Sequence, residues 1–129
     1  MAERCIPTAL LFENVSKFLS GTTTSALFSH LSLCTEAMGA FNVDTTNFTA
    51  ELTREAVTPT LGTTEKTNDT VVMSKASWAP GANTVYGAGI FTGLTGATLQ
   101  IFHEWAAAVA FEASDTVTQT IKCQSKQGS

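Results

Sequence analysis

Few side chains in this 129-residue sequence could act as acids, bases, nucleophiles or metal ligands: two histidines, His30 and His103, three cysteines, Cys5, Cys34 and Cys123, and eleven carboxylates. His103 stands next to Glu104, a pairing that suggests acid/base chemistry or two ligands to one ion. In a strand, neighbouring residues point to opposite faces, so the two converge only across a bulge. Both histidines are therefore expected to be structural. No G-x-S-x-G elbow or S-x-x-K motif supplies an activated serine. The cysteines are odd in number and lack a CxxC pair, so they read as reduced thiols behaving as small apolar residues. The stretch YGAGIFTGLTG carries Gly87, Gly89, Gly93 and Gly96 but lacks the lysine and hydroxyl of a phosphate loop, and a strand pattern follows it where a dinucleotide fold needs a helix. It reads as a hairpin turning through Gly93 and Gly96, with Gly87 and Gly89 admitting close approach of a neighbour. No catalytic residue, metal site or cofactor is expected.

The elements that must position these residues are mainly strands. Threonine occurs 22 times, more often than the 18 charged residues together, and its branched side chain suits a pleated surface. Residues 7–19 form the one amphipathic helix, with Leu11, Val15, Phe18 and Leu19 at helical spacing, Thr8 or Pro7 to open it and Gly21 to close it. Alternation then predicts strands over 26–34, 48–57, 70–76, 84–91, 98–105, 109–113 and 116–124. Arg54 interrupts the apolar side of the second of these. Residues 35–47 and 58–69 lack a sustained period and read as loops. The expected fold is mainly β, an antiparallel β-sandwich or jelly-roll-like barrel with one short N-terminal helix. Its parts are an N-terminal arm and helix over 1–21, a β-sandwich domain over 22–124 and a disordered tail over 125–129.

Charge narrows the partners. A net charge of -4 with seven scattered lysines and arginines argues against nucleic acid, whose phosphates require clustered cations. No apolar run reaches the roughly 18 residues of a membrane helix, and no secretory leader is apparent, so no membrane partner and a reducing cytosol are expected. The Asn-x-Ser/Thr triplets at Asn14, Asn47 and Asn68 are then chance matches. Trp78 and Trp105 are the candidates for core or subunit-contact anchors, and Phe12, Phe18 and Phe41 are candidates for contacts with another subunit.

The stretch over 76–99, ASWAPGANTVYGAGIFTGLTGATL, resembles a segment found in small virion proteins of tailed bacteriophages. In that group an apolar strand reaches a Trp, and a second strand carries a "GIF" core and a "TGG.LL" turn. Here the matching pieces are Trp78, Gly89-Ile90-Phe91 and Thr95-Gly96 before Leu99. Ala26-Leu27-Phe28-Ser29 is similar to the group's "ALFT" strand, residues 52–57 to its "Y.RqaV" strand, and Ser114-Asp115-Thr116 to the "GDT" before the last strand. Leu52 and Thr53 stand where the group has Tyr before the Arg, Ala97 replaces the second turn glycine, and Ser114 replaces the Gly before the Asp. The resemblance implies a structural virion protein without catalytic residues. Its expected role is capsid decoration, or cement, on the capsid exterior after assembly in the host cytoplasm. The implied partners are the major capsid protein and further copies of the chain, expected as a trimer. Two alternatives stay open: a tail, baseplate or fibre-attachment component that binds host carbohydrate, and a small enzyme or ligand-binding barrel built around His30, His103 and Glu104.

Overall fold

The computed structural model describes residues 3–22 and 27–125. In chain order the elements are β1 (Arg4–Pro7), α1 (Ala9–Leu19), β2 (His30–Cys34), β3 (Glu55–Ala56), β4 (Thr60–Gly62), β5 (Thr70–Trp78), β6 (Thr84–Phe91), β7 (Leu99–Ala110) and β8 (Val117–Gln124). The fold is mainly β. Five strands form one antiparallel sheet in the order β1-β7-β6-β2-β3, and three form a second in the order β4-β5-β8. Residue 26 and residues 126–129 of the tail expected over 125–129 lie outside the described residues, while Ser125 is held by its N–H to the Asp69 carbonyl at 2.8 Å.

The helix begins where its cap can be satisfied. Thr8 is extended, and its Oγ1 accepts a hydrogen bond from the Leu11 N–H while donating to the Leu99 carbonyl at 2.7 Å. Pro7 belongs to β1, opposite Ile101; a missing N–H is tolerated on an edge strand. At the far end Gly21, at φ 79°, takes the left-handed conformation that lets the chain leave the helix. Glu13 and Lys17, one turn apart at 2.9 Å, add a surface ion pair in the favourable orientation.

The five-stranded sheet is covered on both sides. Leu31, Leu33, Ala88, Ile90 and Ile101 face Met73, Trp78 and Ile121 of the second sheet in one core. On the opposite face Cys34, Phe91, Leu99 and Phe102 pack under Met38 and Phe48, which belong to the long connection between β2 and β3. Alternation in β2 therefore sends apolar side chains to both faces. Burial pushes the Cys34 thiol up to about 12, so it stays a neutral core residue.

Several elements depart from the sequence expectation, beginning with β2, which starts at His30 and leaves residues 27–29 outside the strand expected over 26–34. The stretches expected over 98–105 and 109–113 merge into one strand, β7, which ends at Ala110 and leaves residues 111–113 in the following turn, and in which residues 105–108 bulge opposite the single residue Tyr86. The 48–57 segment runs beside β2 but pairs as a strand only at Glu55–Ala56, with an isolated bridge between Cys34 and Glu51. The short strands β1 and β4 arise where four and three residues reach a sheet edge, too few to produce a visible alternation.

In β6 the glycines make the second covering layer possible. A Cβ on Gly87 would lie 2.2 Å from the His103 carbonyl oxygen and 2.6 Å from Met38 Sδ, and one on Gly89 would lie 2.6 Å from Phe48 Cζ. Gly87→Ala is expected to destabilise the chain by about 3 kcal/mol, since the obstructing atom is backbone, whereas Gly39→Ala, with open space around it, should stay within about 0.5 kcal/mol. Urea unfolding of the two variants checks the contrast.

A second local device closes the loop between β4 and β5. Asp69 accepts hydrogen bonds from the backbone N–H groups of Thr64, Glu65 and Lys66, and from Thr70 Oγ1 and Gln124 Nε2. These donors hold its carboxyl well below the usual carboxylate range. A depressed folded-state value means that the stabilisation is present above the ordinary carboxylate pKa and is lost as pH falls through the folded one. The backbone amide resonances of Thr64, Glu65 and Lys66 should keep their positions through the ordinary carboxylate range and move only in stronger acid. In Asp69→Ala they should be displaced at every pH.

Candidate functional site

Among the described residues Arg54, 5% exposed, is the most heavily hydrogen-bonded of the buried side chains, and it is the residue that interrupts an otherwise apolar strand face. Its Nε donates to Glu51 Oε1 at 2.9 Å, Nη1 to the Gly93 carbonyl at 3.0 Å, and Nη2 to Asn47 Oδ1 at 2.8 Å and the Gly96 carbonyl at 2.9 Å. The guanidinium carbon lies 3.6 Å from the centre of the Phe91 ring, a cation–π contact. Glu51 also accepts from Ser32 Oγ at 2.7 Å. A cleft of about 440 Å³ opens beside this group, lined by Asn47, Glu51, Thr53, Leu94 and Thr95 among others. The guanidinium itself is occupied by the protein's own acceptors, so the arrangement holds a turn and offers no charge to a ligand.

The residues with potential chemistry are dispersed. His30 pairs with Phe91 and His103 with Ala88, on strands separated by β6; the two histidines sit about 10 Å apart both along and across the sheet. His30 Nδ1 is 2.7 Å from Ser29 Oγ. His103 Nε2 is 2.8 Å from Glu3 Oε2, and its Nδ1 is 3.2 Å from Gln119 Nε2. Glu104, 3% exposed, turns away to Arg4 at 2.6 Å. Arg4 in turn donates to the carbonyls of Phe41 and Met38, tying the covering connection to the sheet. Among the described residues no group of three or more His, Cys, Asp or Glu side chains is placed to hold a metal ion.

The aromatic anchors separate into two kinds. Trp78 is 4% exposed and belongs to the core between the sheets; its indole is enclosed by the chain itself and presents no surface to a partner. Phe41 is half-buried, stacked on Phe48 at 5.7 Å and edge-on to Phe102. Trp105 is half-buried, donating from Nε1 to Gln119 Oε1 at 2.9 Å with its ring edge-on to Phe111. Phe12 and Phe18 differ: they are 60% and 47% exposed on α1.

Beside α1 lies an apolar groove of about 410 Å³, lined by Leu11, Val15, Phe18, Leu27, Phe28, Pro59, Val71, Cys123 and Ser125. The helical pattern pointed to Leu11, Val15, Phe18 and Leu19 as one buried stripe, yet only Leu11 is buried. The remaining stripe forms one wall of this groove or stands in solvent. Pro59 and Val71 had no sequence signal for this role, because they reach the groove from the residue before β4 and from β5 of the second sheet. No family model, curated protein or solved structure matches the chain.

Arg54→Met should destabilise the chain by about 3 kcal/mol, because it takes the guanidinium away from two turn carbonyls and leaves the Glu51 carboxylate with the Ser32 hydroxyl but no countercharge. Adding Glu51→Gln to that variant should recover part of the loss, and denaturant midpoints of the single and double variants measure the coupling.

Proposed function

We propose that this chain is a structural component of a tailed-bacteriophage particle, acting as a capsid decoration or cement protein on the exterior of the shell. In this reading it binds major capsid protein subunits and reinforces their contacts by burying apolar surface, in several copies and by binding alone. The observation that carries it is the face of α1. Phe12, Phe18 and Leu19 are exposed on one short helix, next to an apolar groove. Such a patch is unfavourable in water and becomes stabilising when a partner covers it, at roughly 25 cal/mol per Å² removed from solvent. The resemblance over 76–99 supports the same reading. The two sheets sharing one core are compatible with the β-sandwich or jelly-roll-like arrangement that the resemblance implies.

One feature favours tail, baseplate or fibre attachment with carbohydrate binding instead. The half-buried pair Trp105 and Phe111 lines a second groove together with His103, Gln119 and Thr120, an apolar ring beside polar groups of the kind that sugars stack against.

Quantifying the chain in purified particles separates the readings. A copy number matching the shell subunits is expected for the first, and the small number of a tail structure for the second; absence from particles overturns both. Replacing Phe12 and Phe18 together by Asp should abolish binding to undecorated shells while leaving the unfolding midpoint nearly unchanged, since both side chains are already exposed.

A further inference from the structure

Glu3 immediately precedes β1 and falls opposite Trp105 when the register of Arg4 with Glu104 is continued by one residue. Side chains alternate between faces along a strand, so Glu3, His103 and Trp105 share one face while Arg4 and Glu104 turn to the other. A chain of hydrogen bonds crosses that face by way of β8. Trp105 Nε1 donates to Gln119 Oε1 at 2.9 Å. Gln119 Nε2 donates to the Thr120 carbonyl at 3.1 Å and lies 3.2 Å from His103 Nδ1. His103 Nε2 in turn lies 2.8 Å from Glu3 Oε2.

The donors and acceptors in this chain assign the charges. An indole can only donate, which fixes Oε1 of Gln119 as its acceptor and leaves Nε2 as a donor. His103 Nδ1 therefore accepts, the ring hydrogen sits on Nε2, and the imidazole is neutral. The Glu3 carboxylate, 62% exposed, remains as the one full charge on a groove of about 600 Å³ that also has Trp105, Phe111, Val109 and Val117 in its walls. No lysine or arginine lines the groove, and Lys75, opposite Gln119 on β5, stays outside it. Glu112 and Asp115, in the turn between Phe111 and Val117, add negative potential at the same end.

We propose that this groove binds a small quaternary ammonium ion of the choline type, its methyl groups against Trp105 and Phe111 and its charge beside Glu3. The two ring planes are inclined at 67° with centroids 6.2 Å apart. A cation between them lies within the roughly 6 Å of both centroids over which a ring face attracts it. The hydrogen-bonding groups of Trp105, Gln119 and His103 are spent on one another. An ammonium with N–H donors, or a sugar with hydroxyls, would find few partners here, whereas a methylated cation needs none and meets rings, valines and a negative charge. The proposal gives the groove of the carbohydrate reading a different occupant, and it does not depend on the virion placement.

Titration with choline chloride tests it, followed by the Trp105 indole N–H resonance with sodium chloride at equal concentration as the reference. A saturable shift with a Kd of roughly 1–10 mM is expected from two partly exposed ring contacts and one carboxylate. The uncharged analogue of the same shape, 3,3-dimethylbutan-1-ol, should bind about tenfold more weakly. Glu3→Gln, at an exposed position, should weaken choline about fivefold and leave the unfolding midpoint unchanged. Phe111→Leu, which keeps apolar bulk and removes the ring, should do the same to binding. No saturable shift up to about 100 mM overturns the proposal, as does equal affinity for the uncharged analogue or indifference to Glu3→Gln. Methyl glucoside shifting the resonance where choline does not, equally in Glu3→Gln, also overturns it and leaves the carbohydrate reading in place. None of these outcomes alters the particle copy number that tests the virion reading.

Discussion

A guanidinium withdrawn from water must find an acceptor for its N–H groups inside the protein. Arg54 does so by joining three separate parts of the chain: its own segment through Glu51 and Asn47, the β6–β7 turn through the carbonyls of Gly93 and Gly96, and the sheet surface through Phe91. The Gly93 and Gly96 carbonyls are ends of that turn, and the guanidinium gives both of them a donor. The cost of burying the charge is thus converted into positional specificity. The same requirement explains why residues 48–57 do not run as a regular strand: the backbone bends so that Glu51 and Arg54 meet on one side of it.

With that segment fixed, the connection between β2 and β3 lies over the five-stranded sheet as a third layer. Arg4 secures its other part, bonding to the Met38 and Phe41 carbonyls while paired with the buried Glu104. Phe41, Phe48, Phe91 and Phe102 fill the space between in stacked and edge-on contacts, geometries favoured by the ring quadrupole. This layer can come so close only because β6 presents hydrogen atoms instead of methyl groups at Gly87 and Gly89. The two arginines and the two glycines act together, the former supplying attachment and the latter room.

The same economy leaves the periphery open. The core between the sheets takes Leu11 from α1, with Val15 packed against its margin, and leaves Phe12, Phe18 and Leu19 exposed. The low proportion of charge, 14%, has a counterpart in the long edge of β8, where threonine takes positions that a solitary sheet would guard with lysine or proline.

Periodicity and turn chemistry made much of this legible in the sequence. The alternation of β6 and β8 and the helix with Thr8 and Gly21 at its ends follow from rules that operate within a few residues, whereas Gly87 and Gly89 marked a close approach without naming the neighbour, which comes from residues 38, 48 and 103. The same local rules exposed Arg54 as an interruption without saying what it was for. Its partners come from residues 47, 51, 93 and 96, and only folding brings such distances in sequence together. Whether Trp78 would be buried and Phe12 exposed was equally undecided, since an aromatic ring has the same composition in a core as on a surface. Tertiary structure settled it through the number of layers: the second sheet encloses Trp78, while nothing in the described chain covers the outer side of α1. Short strands such as β1 and β4 were invisible for a related reason, because their pairing is conferred by the neighbouring strand and not by any pattern of their own.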